Sequence, residues 1–76
     1  MKDLVELLVR ALVDRPEAVS VTAVEDEHSL VFEVRVDPDD IGKVIGKQGR
    51  IIHAVRVVAK AAAVRVRKRV TVEVVS

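Results

Sequence analysis

Ile41-Gly42-Lys43-Val44-Ile45-Gly46-Lys47-Gln48-Gly49-Arg50-Ile51-Ile52 sets a Gly-x-x-Gly turn between two apolar stretches and places cations in and beside it. Glycine has no Cβ, so Gly46 and Gly49 let the chain turn tightly while an incoming backbone lies against its amides. A helix starting near Arg50 adds unpaired first-turn N–H groups and a dipole that favour an anion beside the loop. Lys47 and Arg50 add full positive charges. The combination suits a phosphodiester backbone. A nucleotide-binding P-loop is excluded by spacing, since it needs four residues between its glycines and then Lys followed by Ser or Thr. Here three residues separate Gly42 from Gly46, and Gln48 follows Lys47.

Working outward, Asp37-Pro38-Asp39-Asp40 reads as a helix start, with Asp37 at the N-cap, Pro38 fixing the first helical φ and two acids in the first turn. That helix is short and stops at Gly46. A longer one is expected from Arg50 to about residue 63. Its core face is assigned to Ile51, Ile52, Val55, Val58, Ala59 and Ala62, leaving Arg50, His53, Arg56 and Lys60 in water. Upstream, the Val-rich segments 19–25 and 30–37 read as two strands joined through 25–29. In the second, Leu30, Phe32, Val34 and Val36 alternate with Glu33, Arg35 and Asp37, as a sheet with one wet face requires. Leu4, Leu7, Leu8, Ala11 and Leu12 recur at helical spacing over 3–14, with Asp3 as the N-cap, Glu6 completing a capping box and Asp14-Arg15-Pro16 as the stop. A last strand is expected over 65–75, where Val66, Val70, Val72 and Val74 share one parity and Arg65, Arg67, Arg69, Thr71 and Glu73 the other. On that register the arginines point away from the helices and the loop. The order is α-β-β-α-α-β, an α+β fold with helices on one face of a three-stranded sheet.

Val44, Ile45, Gly46, Gly49 and Ile52 match a Val-Ile-Gly-x-x-Gly-x-x-Ile pattern that resembles the signature of the KH family of RNA-binding domains. The element order resembles the type II, prokaryotic KH fold, which implies a mixed sheet and places the loop between the second and third helices. The resemblance covers nearly the whole chain as a single KH domain over 1–76. A KH domain with nothing attached resembles the small bacterial RNA-binding proteins of the KhpA family. It implies that Gly46, Lys47, Gln48 and Gly49 clamp the backbone of about four nucleotides of single-stranded RNA while the bases lie in an apolar groove. Lys47 then pairs a phosphate and Gln48 offers a neutral hydrogen bond. Lys43 and Arg50 flank the loop as further phosphate contacts. Ile45 and Ile52 match the family's groove and core positions, and Gly42 lets the short helix approach either the RNA or the sheet closely. In the type II fold the connection into the last strand lies beside the groove, so Arg65, Arg67, Lys68 and Arg69 are candidate additional RNA contacts. The resemblance further implies an RNA chaperone or post-transcriptional regulator, which forms a homodimer and pairs with a larger KH protein of the KhpB/Jag type. Family members that have lost RNA binding carry acids in the loop, where this chain has Lys47 and Gln48. A protein-interaction adaptor and single-stranded DNA binding stay open beside that reading.

Composition narrows the classes. A chain of 76 residues has room for one modest core and no deep active-site cleft. Phe32 is the only aromatic, so the chain has almost nothing to offer for base stacking of the kind RRM, OB and cold-shock modules use. There is no cysteine, hence no disulfide and no Cys metal site, and the expected location is cytoplasmic. Asp3, Glu6 and Arg10 interrupt the first segment, and no apolar run approaches the roughly 18–20 residues of a membrane span. His28 and His53 have no second ligand or nucleophile at a meaningful spacing, so no metal, cofactor or catalytic activity is expected. Net charge is only +1, but residues 1–40 hold eleven acids and four bases, and residues 41–76 nine bases and one acid. A near-neutral protein of this kind still carries a basic face, and the glycine loop sits at its head.

Overall fold

A computed structural model describes residues 2–75. It has helix α1 (Lys2–Arg10), strands β1 (Ser20–Glu25) and β2 (Ser29–Arg35), helices α2 (Ile41–Ile45) and α3 (Arg50–Ala62), and strand β3 (Arg69–Val75), with single 3₁₀ turns at Pro16–Ala18, Pro38–Asp40 and Lys47–Gly49. The sheet order is β1-β2-β3. β1 and β2 form an antiparallel hairpin. The Asp26 carboxylate closes it by accepting the N–H groups of His28 at 2.8 Å and Ser29 at 2.7 Å. Those bonds hold the Asp26 carboxyl below its usual range. β2 and β3 are parallel, which requires a crossover, and α2 and α3 supply it.

The core is a cluster of valines from every layer around Phe32, which is 1% exposed at the middle of the central strand. The alternation expected in the second strand holds, with Leu30, Phe32 and Val34 buried. Asp37 caps as expected, its Oδ1 accepting from Asp39 N–H at 2.9 Å, although the residues it opens form a 3₁₀ turn before α2 begins.

Three expectations are corrected. First, Asp3 lies inside α1 and is no N-cap, the helix ends at Arg10, and its buried residues are Val5 and Val9. Leu7 on the expected core face is 66% exposed. Leu4, Val5, Leu7, Leu8 and Val9 give the helix an apolar arc wider than one packing face, with Leu7 at its edge beside the polar Asp3, Glu6 and Arg10. Packing on the valine-rich sheet selects the shorter side chains. Second, α3 buries Ile52, Val55 and Ala59, while Val58 is 40% exposed and Ile51 only half-buried. Third, β3 starts at Arg69, whose partner Ser29 is the first residue of β2. Residues before Arg69 have no neighbouring strand to take their hydrogen bonds, so the alternation of 64–68 is spent in turns, with Arg67 at φ 54. Val66 is therefore exposed and does not share the core face of Val70 and Val72.

Candidate nucleic-acid interface

α2 ends at Ile45, and Gly46 turns the chain away with φ 76 and ψ 175 while its N–H donates to the Gly42 carbonyl at 2.9 Å. A Cβ on Gly46 would lie 2.6 Å from Ile51 Cγ1, so the residue is required by packing as well as by its dihedral. Gly49 is also left-handed, φ 74, and its N–H closes the turn on the Gly46 carbonyl at 3.2 Å. Between them Gln48 is held at φ 58, a conformation that costs a non-glycine residue about 1–2 kcal/mol. Three left-handed residues within four positions push Lys47 and Gln48 outward. Both are exposed, as is Arg50 at the first position of α3.

The other expected site residues separate by environment. Gly42 is exposed, and a Cβ there would meet nothing within 4 Å, so close approach to the sheet is not its role. Its open side faces solvent. Ile45 is half-buried beside the core, and Ile52 is buried within it. Lys43 points away from the loop. Its Nζ pairs with Asp14 and lies 3.6 Å from Asp40 Oδ1. Asp40 is 2% exposed and also accepts the backbone N–H groups of Asp14 at 3.3 Å and Arg15 at 3.1 Å, pinning the segment after α1 against the start of α2. Burial alone pushes the Asp40 carboxyl up, but the two N–H donors and the Lys43 ammonium outweigh it and hold it below its usual value. The bond to Asp14 raises the Lys43 ammonium.

Below the loop, α3 presents two unlike flanks. Arg56 Nε donates to the Val72 carbonyl at 3.1 Å, which fixes that flank over β3. His53 and Lys60 share it at spacings of three and four residues, and both are exposed. On the opposite flank Ile51, Ala54 and Val58, with Arg50 at the loop end, line an apolar groove of about 360 Å³ together with Leu8 of α1 and Ala11 and Leu12 just after it. Ile51 and Val58, expected on the core face of α3, border this groove instead, and the groove itself is not expected from the sequence. The signal was present in the doubled apolar stripe of α1.

The basic run after α3 is not one surface. Arg65 and Arg67 are exposed in the turns, where strand parity does not apply. Lys68 Nζ reaches Glu25 at 2.8 Å. Arg69, next to buried Val70, stays on the sheet face opposite the core. Among the described residues no group of histidine, cysteine or acidic side chains is placed to hold a metal, and no helix is long and apolar enough to cross a membrane.

The chain is 53% identical over 75 residues to the RNA-binding protein KhpA of Clostridium perfringens, covering 99% of this chain and 100% of that protein. It is 49% identical over 75 residues to its namesake in Caldanaerobacter subterraneus subsp. tengcongensis, covering 99% of this chain and 100% of that protein. The RNA-binding protein KhpA of Aquifex aeolicus is 49% identical over 74 residues, covering 97% of this chain and 94% of the relative. No solved structure matches. The family model described as KhpA/KhpB, KH domain, matches residues 2–74, and with the glycine loop seated between α2 and α3 of a three-stranded mixed sheet, the chain belongs to the KhpA/KhpB family of type II KH domains.

Proposed function

We propose that this chain is a single-stranded RNA-binding protein, one KH domain over its whole length, that clamps the RNA backbone with Gly46, Lys47, Gln48 and Gly49. The observation that carries the reading is the left-handed loop holding Lys47 and Gln48 outward at the head of α3, with Arg50 beside it. Lys47 and Arg50 take phosphates, and Gln48 donates a neutral hydrogen bond. Gly42 leaves the strand room beside α2, and half-buried Ile45 offers apolar surface to a base beside the loop. Ile52 holds α3 in place from the core. Lys43 acts indirectly, by fixing the start of α2 through Asp14 and Asp40. The relatives named as RNA-binding proteins support this assignment.

In this reading the protein is a binding module and no enzyme, works in the cytoplasm, and serves as an RNA chaperone or post-transcriptional regulator. One clamp on about four nucleotides binds weakly, so useful affinity comes from a homodimer or from pairing with a larger KH protein of the KhpB/Jag type. What supports a protein partner is the uncovered apolar groove between α1 and α3, on the flank of α3 away from the Arg56 contact with β3.

The test is fluorescence anisotropy with mixed-sequence single-stranded RNA over a salt series, comparing wild type with Lys47→Asp/Gln48→Asp, each shown folded by circular dichroism. Salt-sensitive binding that the variant loses is the expected result, and a DNA oligonucleotide of the same sequence reports the dependence on the 2′-OH. No binding by either protein would leave docking through the apolar groove as the leading reading.

A further inference from the structure

Arg56 is the cation of α3 that the fold orients without neutralising. Arg69 N–H points toward β2, where it donates to the His28 carbonyl, so three residues further along the strand the Val72 carbonyl points to the outer edge of β3, which no strand pairs. Arg56 Nε donates to that carbonyl at 3.1 Å. One N–H satisfies it, and a guanidinium carries five. The Nε bond fixes the plane of the group, while neither Nη has an ion-pair or hydrogen-bond partner among the described residues. Lysine or glutamine would meet the structural need. The open Nη fork is what a planar pair of acceptors fits.

His53 lies between Arg50 and Arg56 on the helix surface, three residues from each, and is exposed. Phe32 is buried in the core and His28 sits in the turn between β1 and β2, so His53 is the ring that this flank offers to a base. No acid lies anywhere from residue 41 to residue 72, and a polyanion leaving the loop is favoured along this flank over the apolar one.

We propose that His53 and Arg56 select the base beside the clamp: it stacks on the His53 imidazole, and the two Nη groups of Arg56 donate to a pair of adjacent acceptors on its edge. Guanine offers O6 and N7, and cytosine O2 and N3. Adenine sets its amino group, and uracil its N3–H, beside its acceptors, so neither fits the fork. The inference rests on the clamp reading above and deepens it by naming the bases that site prefers. Arg56 lies about 9 Å along α3 from Arg50, at about 1.5 Å per residue. A strand rising about 3.4 Å per nucleotide covers that in about two to three nucleotides, so the selected base falls within the roughly four nucleotides of the clamp.

The test uses uridine RNAs of about six nucleotides in which a single guanosine, cytidine or adenosine is walked along the strand. Binding is read by anisotropy for wild type, Arg56→Lys, His53→Ala, His53→Phe and Lys47→Asp/Gln48→Asp, each shown folded by circular dichroism. Wild type should favour guanine and cytosine over adenine and uracil at one position by about 5- to 150-fold, the range of a bidentate contact. Arg56→Lys should keep the salt slope and the all-uridine affinity and lose the preference, because an ammonium is a point donor. If that variant melts early, Arg56→Gln keeps a donor for the Val72 carbonyl and takes its place. His53→Ala should weaken binding by about 5-fold or more for every base at that position, leaving their ratio unchanged, and His53→Phe should restore it. Wild-type indifference to base identity at every position overturns the proposal, as does a preference that survives Arg56→Lys or a His53→Ala variant that binds like wild type. The clamp is judged separately: a loop variant with wild-type affinity for all-uridine RNA sinks the clamp, whereas the base preference is a ratio between RNAs and stands or falls with Arg56.

Discussion

The two flanks of α3 are built from the same helix and face opposite tasks. Toward β3 it carries His53, Arg56 and Lys60, with one arginine spent on the Val72 carbonyl and the others in water. Toward α1 it carries Ile51, Ala54 and Val58, which border a groove with almost no polar lining. The buried stripe of Ile52, Val55 and Ala59 lies between them and holds both in place. A short helix can thus present one surface complementary to a polyanion and another complementary to an apolar partner. The two should be separable by mutation, except where one side chain touches both.

Val58→Asp puts a charge into the apolar flank and should bring the largest effect. Self-association measured by sedimentation velocity should be lost, and with it about 10²-fold in affinity for RNA long enough to engage two clamps. Affinity for a four-nucleotide RNA should not change, and a change there would break the separation of the flanks. Gly46→Ala is the substitution that should couple them, since the new methyl meets Ile51, a residue that also lines the groove. It adds about 1–2 kcal/mol of left-handed strain to that clash. The melting temperature should fall by roughly 5–15 °C, with short-RNA binding and self-association weakened together.

Gln48→Gly acts on the loop alone. It removes left-handed strain of about 1 kcal/mol, so the melting temperature should rise by a few degrees with self-association unchanged. The smallest effect should lie away from both flanks, at Asp40. Its folded carboxyl is held below the ordinary 3.8, so the stability it contributes is full above that value and is lost as pH falls through the lower folded value. Wild type should therefore lose melting temperature more steeply than Asp40→Asn on acidification below about pH 4. The variant should be the less stable of the two at neutral pH. Equal acid slopes would remove the carboxylate from the junction between α1 and α2.

Legibility of the candidate site followed the same division. The loop was fully legible, because two glycines three apart and their apolar neighbours fix a turn by local geometry. The fates of the cations were not. Lys43 is next to the loop in sequence yet belongs to Asp14, 29 residues away, and Lys68 belongs to Glu25, 43 residues away. No motif announces such partners.

By itself the sequence determined the α-β-β-α-α-β order, the glycine turn, the cap at Asp37 and the wet and dry faces of β2, all set by residues within a few positions of one another. The tertiary structure alone decided three things. Contact with the sheet buried Val5 and Val9 and left Leu7 in water. β3 began at Arg69 because β2 offers no edge before Ser29. The bare apolar flank of α3 appeared because the helix has more apolar residues than one packing face can cover. Each is a choice among partners that local periodicity leaves equivalent, and only packing in three dimensions separates them.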